Sequence, residues 1–142
     1  MNTFLIALGS VGVLVFVTRL IAGRRRTREL DRDFSLELTC DRRRAILAAA
    51  TAARGVLWEV AVTENGLRTK HIHARNVIHV AISASPGRRT GSRAKVWTRY
   101  ALADAVLILR PRAYLDTRRK RDKILRALSA HAAPQRKDAQ LH

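Results

Sequence analysis

The stretch VLWEVAVTENGLRTKHI, residues 56–72, decides the fold. Two arms of alternating apolar residues flank Asn65 and Gly66, both tolerant of positive φ. That pattern predicts a β-hairpin closed by a type I′ turn at those two residues. Upstream, FSLELTC (34–40) sets Phe34, Leu36, Leu38 and Cys40 against Ser35, Glu37 and Thr39, the period of two of a half-buried strand. Between these strands, DRRRAILAAATAARG (41–55) predicts a helix with Asp41 as N-cap and Gly55 as stop. Ile46, Ala49, Ala50 and Ala53 form its apolar stripe, and such small side chains let a helix lie close to a sheet.

Downstream, NVIHVAIS (76–83) and KVWTRY (95–100) alternate in the same way and pair across the loop SPGRRTGSRAK. Residues 101–110 fit a short helix or another strand equally well, and Pro111 interrupts. A last helix is expected from about Asp116 to about Ala130, with Ile124, Leu125 and Leu128 inward and RRKR (118–121) solvated. The predicted domain is α+β, a small antiparallel sheet in the order β-α-β-β-β-β-α packed on helices, curved so as to grip one of them. Many unrelated functions use that architecture, so function must be read from a site.

Residues 3–23 are apolar apart from Arg19 and would rise about 31 Å as a helix, close to a bilayer's hydrocarbon thickness. No positive side chain precedes the run, and LIAG (20–23) is a poor cleavage site, which favours an uncleaved single transmembrane helix over a signal peptide. Arg19, Arg24, Arg25, Arg26 and Arg28 then mark the membrane interface and its anionic headgroups. The positive-inside rule puts the N-terminus outside and the domain in the cytoplasm. The expected division is a transmembrane anchor at 1–23, a basic juxtamembrane linker at 24–33, a basic α+β domain at 34–131 and a disordered tail at 132–142.

Among 142 residues, 28 are Lys or Arg and 11 are Asp or Glu, a net charge of +17. Such an excess draws polyanions or acidic proteins. A coding bias toward Arg and Ala would raise the charge as well, so charge alone names no partner. Cys40 is the sole cysteine, which rules out an intrachain disulfide, and beside Asp41 it lacks the cationic setting of a reactive thiol.

His71 and His73 share a strand face and His79 lies on the next strand, but Arg68, Lys70 and Arg75 surround them and would repel a metal cation. They read better as solvent-facing strand histidines. Glu59 and Glu64 differ in strand parity, which gives no acid/base pair, and no phosphate loop, dinucleotide fingerprint or nucleophile elbow occurs. The expectation is therefore a non-enzymatic protein without a cofactor.

Arg88, Arg89, Arg93 and Lys95, close to Trp97 and Tyr100, together with Arg118, Arg119, Lys120 and Arg121, are the candidate partner-binding residues. The partner would be nucleic acid or an acidic subunit of a membrane assembly. A second class is a small-ligand or lipid-binding module, with Trp58 and Trp97 lining a cleft between sheet and helix. Sequence leaves the oligomeric state open.

Overall fold

A computed structural model describes residues 12–18, 21–22, 25, 28–73, 76–86, 90–99 and 111–132. The elements are β1 (Phe34–Leu38), α1 (Arg42–Ala53), β2 (Trp58–Thr63), β3 (Gly66–His71), β4 (Val77–Ala84), β5 (Ser92–Arg99) and α2 (Pro111–Ser129). The strands form one antiparallel sheet in the order β1-β5-β4-β3-β2. β1 therefore leaves the chain's sequential neighbours and pairs with β5, placing Phe34 opposite Val96 and Leu38 opposite Ser92.

Alternation sorts the side chains onto two faces. Leu38, Leu67, Ile78, Val80, Ile82, Ala94 and Val96 point to one side, where Ile124 and Leu128 of α2 meet them. Ala45, Ala49, Ala50, Ala52 and Ala53 of α1 complete this core. With only a methyl group at each of those positions, α1 can sit close to both sheet and α2.

Three local expectations change. The hairpin exists, but Thr63 pairs with Gly66, so Glu64 and Asn65 form the loop and Gly66 opens β3. Among the described residues no residue other than glycine has positive φ, which excludes the type I′ turn at Asn65 and Gly66. Asp41 stands at the N-cap of α1 without a side-chain capping bond, and Arg54 rather than Gly55 is the C-cap. Pro111 lies within the described helix α2 rather than interrupting it.

The membrane anchor expected at 1–23 is corrected. Residues 1–11, 19–20 and 23 lie outside the described residues, and among the described residues no helix is long and apolar enough to cross a membrane. The single-pass architecture, the outside-to-cytoplasm orientation and the membrane localisation fall with it. Arg25 and Arg28 are exposed, and Arg19, Arg24 and Arg26 lie outside the described residues, as do residues 101–110 and the tail from 133.

The segment before β1 is packed against the domain. Leu30 is 0% exposed and forms a small apolar cluster with Tyr114 of α2. The Tyr114 hydroxyl donates to a Glu29 carboxylate oxygen at 2.6 Å, and Arg121 Nη1 donates to the Glu29 carbonyl at 2.9 Å. Leu30→Ala is accordingly expected to destabilise the fold by roughly 2–4 kcal/mol, through lost burial and a cavity. Urea unfolding checks this: the midpoint should fall at unchanged slope. An unmoved midpoint would detach this segment from the domain.

Candidate nucleic-acid interface

The face of the sheet opposite the helices carries the outward residues of each strand. Register lines them up in rows. One row runs Glu59–Lys70–Val77–Arg99, and the next runs Ala61–Arg68–His79–Trp97. A third brings Ala81, Lys95 and Ser35 together, and a fourth Ser83, Arg93 and Glu37. Five cations thus share a surface with two carboxylates, Glu37 and Glu59.

Those cations differ in their commitments. Arg93 is paired with Glu37, which also accepts a hydrogen bond from Ser85 Oγ at 2.9 Å. Lys95 Nζ lies 2.9 Å from an Asp33 carboxylate oxygen and 5.8 Å from the centre of the Trp97 ring. Arg68, Lys70 and Arg99 are exposed, and none has an ion-pair partner among the described residues. Exposed pairs such as Lys95–Asp33 are weak, about 0–1 kcal/mol, and exchange readily for a stronger anion.

At the centre of this face, His79 and Trp97 stack with ring centres 5.2 Å apart and planes 9° from parallel. Burial pushes the His79 pKa down from its ordinary value, and the Arg99 and Arg68 guanidiniums push it further down. The ring is therefore neutral at pH 7 and offers π surface rather than charge. The Trp97 ring also has the Lys95 ammonium 5.8 Å from its centre.

The depressed pKa has a thermodynamic consequence. The unfolded chain binds this proton more tightly than the folded one, so stability is full above about pH 6.5 and falls as pH drops toward the folded value. His71 acts in the same direction: burial lowers its pKa, opposed by Asp116 and helped by His73. Thermal unfolding between about pH 7.5 and about pH 5 should show Tm falling with acid, with a shallower slope in His79→Gln. A slope identical to the parent's would remove His79 from this account.

The remaining candidates fall elsewhere. Arg88, Arg89 and Tyr100 lie outside the described residues. The basic run of α2 is on the opposite side of the sheet from Arg93 and Lys95, and three of its four residues hold the fold together. Arg118 pairs with Glu29 at 3.0 Å. Arg121 is 2% exposed, bonded to the Glu29 carbonyl, with its guanidinium carbon 4.9 Å from the centre of the Phe34 ring. Lys120 donates to the Arg54 carbonyl at the end of α1, at 2.9 Å, and lies 5.5 Å from the Trp58 ring centre. Its pKa is lowered, first by burial and then by Lys123. Arg119 alone of the four is exposed without a partner among the described residues.

The tryptophans also separate. Trp97 is on the open face, whereas Trp58 sits on the helix side, edge-on to His71 at 5.0 Å, so they do not line one cleft. His71 is 6% exposed rather than solvent-facing, and its Nδ1 accepts a hydrogen bond from the His73 amide at 3.1 Å. Among the described residues no three His, Cys, Asp or Glu side chains converge as a metal site needs. The Cys40 thiol has its pKa raised, chiefly by burial, which keeps it protonated.

Arg68, Lys70, His79 and Arg99 join the candidate surface although the basic runs of the sequence did not single them out. Their signal is strand parity combined with register, since each is isolated in sequence and they meet only across β3, β4 and β5. No protein-family model matches the chain, and no curated protein shows significant sequence similarity to it.

Proposed function

We propose that the protein binds single-stranded nucleic acid on the open face of its sheet. The observation that carries this reading is the flanking of the His79–Trp97 stack by three exposed, uncommitted cations, Arg68, Lys70 and Arg99. Phosphates pair with the guanidiniums and the ammonium, releasing counterions. A base stacks on the Trp97 ring in place of Lys95, and Lys95 moves to the nucleic-acid backbone. Stacking of this kind tolerates any base, because every base has a π face. The role is one of binding, and none of these residues is asked to do covalent chemistry.

An acidic protein on this same face is the second reading. It is favoured by Arg93 and Lys95, which already hold carboxylates there. The two readings differ in what quenches Trp97. Titration of the full chain with a short oligothymidylate should quench and shift tryptophan emission, an effect lost in Trp97→Phe. The logarithm of affinity should fall linearly with that of salt, with a slope of roughly −2 for three single-strand phosphate contacts. Retention of no oligonucleotide at about 50 mM salt would overturn the reading. A duplex of the same length should bind less tightly, because its bases are not free to stack.

A further inference from the structure

On the helix side of the sheet, a groove of about 400 Å³ runs between the turn after α1 and the middle of α2. Its walls include Val56, Leu57 and Trp58 on one side and Arg119, Lys120 and Lys123 on the other. We propose that this groove docks an acidic peptide segment of a partner protein, anchored by an aliphatic or aromatic side chain.

Two independent features point to that occupant. The first is apolar exposure. Val56 is 96% exposed and Leu57 is 42% exposed, and Ile72, itself exposed, is tied alongside by its amide bond to the Leu57 carbonyl at 3.0 Å. Val56 and Leu57 thus form an aliphatic ledge beside Trp58 in the groove wall, with Ile72 joined to it through the backbone. The second is charge. Arg119 and Lys123 stand one helical turn apart, and neither has a carboxylate partner among the described residues. Asp116 is the sole carboxylate lining the groove among the described residues.

Chemistry separates this occupant from the others. Nucleic acid would satisfy the cations but offers the ledge little more than a thymine methyl, far less apolar surface than a leucine or phenylalanine side chain. A second copy of the chain carries +17 and would meet like charge. The groove is also open along its length, which suits an extended segment better than an engulfed small molecule. Lys120 is not free to join the recognition, because it holds the Arg54 carbonyl, so specificity rests on Arg119 and Lys123 together with the ledge. The groove and the open sheet face lie on opposite sides of the sheet, and this proposal stands whether or not the sheet face binds nucleic acid.

The test uses the isotopically labelled full chain and three synthetic peptides, followed by amide chemical shifts. One peptide is Glu-Asp-Leu-Phe-Glu-Asp, one has Ala for Leu and Phe, and one has Lys for every acidic residue. The first should shift residues 55–58 and 116–123, the second should bind at least about tenfold more weakly, and the third should not bind. Arg119→Glu with Lys123→Glu should abolish binding of the first while leaving Tm unchanged, and Val56→Ser should weaken it. Equal binding by the first two peptides, shifts confined to the sheet face, or insensitivity to the double charge reversal would each overturn the proposal. So would groove shifts produced by oligothymidylate, by phosphatidylglycerol vesicles or by raising the protein concentration alone.

Discussion

Replacing Arg68, Lys70 and Arg99 together by alanine is expected to lower the affinity for single-stranded oligonucleotide by roughly a hundredfold or more at about 50 mM salt. Hydrogen bonds to charged groups contribute about 1.5–3 kcal/mol each, and solvent exposure keeps these toward the lower end. Three such contacts give about 4.5 kcal/mol before screening by salt, where 1.4 kcal/mol is a factor of ten. The salt slope should collapse along with the affinity, because the cations that release counterions are gone. Trp97→Ala makes the complementary case. It should cost about 1–3 kcal/mol in stacking while leaving the salt slope in place. Arg119→Glu with Lys123→Glu, on the other side of the sheet, should change oligonucleotide affinity far less than the triple variant does. Stability is not the route in any of these, since Arg68, Lys70 and Arg99 are exposed and hold no ion pair among the described residues. Anisotropy titrations at two salt concentrations give both affinity and slope. A triple variant that binds like the parent would remove the sheet face from the function.

The sheet is legible in the sequence because each strand alternates locally. Phe34, Leu36 and Leu38 need only their own neighbours to announce a buried face, and so do Ile78, Val80 and Ile82. Register is not local. Nothing near Arg68 or Arg99 in sequence says that both will flank the same histidine, because the pairing of β1 with β5 and of β4 with β3 is fixed by long-range packing. Runs of charge misled in the opposite direction. RRKR (118–121) reads as a solvated half-helix, yet Arg121 lays its guanidinium over Phe34 and bonds the Glu29 backbone, while Lys120 caps α1. Long basic side chains can bury their stems and still satisfy their charged ends, and composition does not show which of them do so.

Local composition is equally silent on the segment before β1. Leu30 shows the same limitation at the scale of a single residue. Set among Arg28, Glu29, Asp31 and Arg32, it carries no periodic signal, yet it is fully buried against Tyr114, 84 positions away. Such a contact becomes visible only once α2 is placed on the sheet.

Gly66→Ala is expected to be the most damaging single substitution in the hairpin. Gly66 has φ +155° and pairs with Ala81 of β4. A Cβ built there would fall on the Val80 carbonyl oxygen, with the Val80 carbonyl carbon at 2.9 Å and Ala81 Cα at 3.1 Å. All three are backbone atoms, so no rotamer change can make room, and β3 would have to part from β4 at the point where the Ile82 amide bonds the Asn65 carbonyl. Leu67 follows directly and is buried in the core, so the separation would reach the apolar interior as well. The expected cost is about 3–5 kcal/mol, a large share of the 5–15 kcal/mol typical of a whole domain. Tm should fall by at least about 12 °C if unfolding stays two-state. Gly55→Ala supplies the control, because its added Cβ meets Lys120 Nζ at 2.9 Å, the far end of a flexible side chain. That chain can swing aside, at a loss of about 1.5 kcal/mol from its exposed bond to the Arg54 carbonyl. Differential scanning calorimetry on the two variants decides the matter. Equal losses would mean that backbone crowding at Gly66 does not set the hairpin's geometry, and that the loop of Glu64 and Asn65 tolerates another conformation.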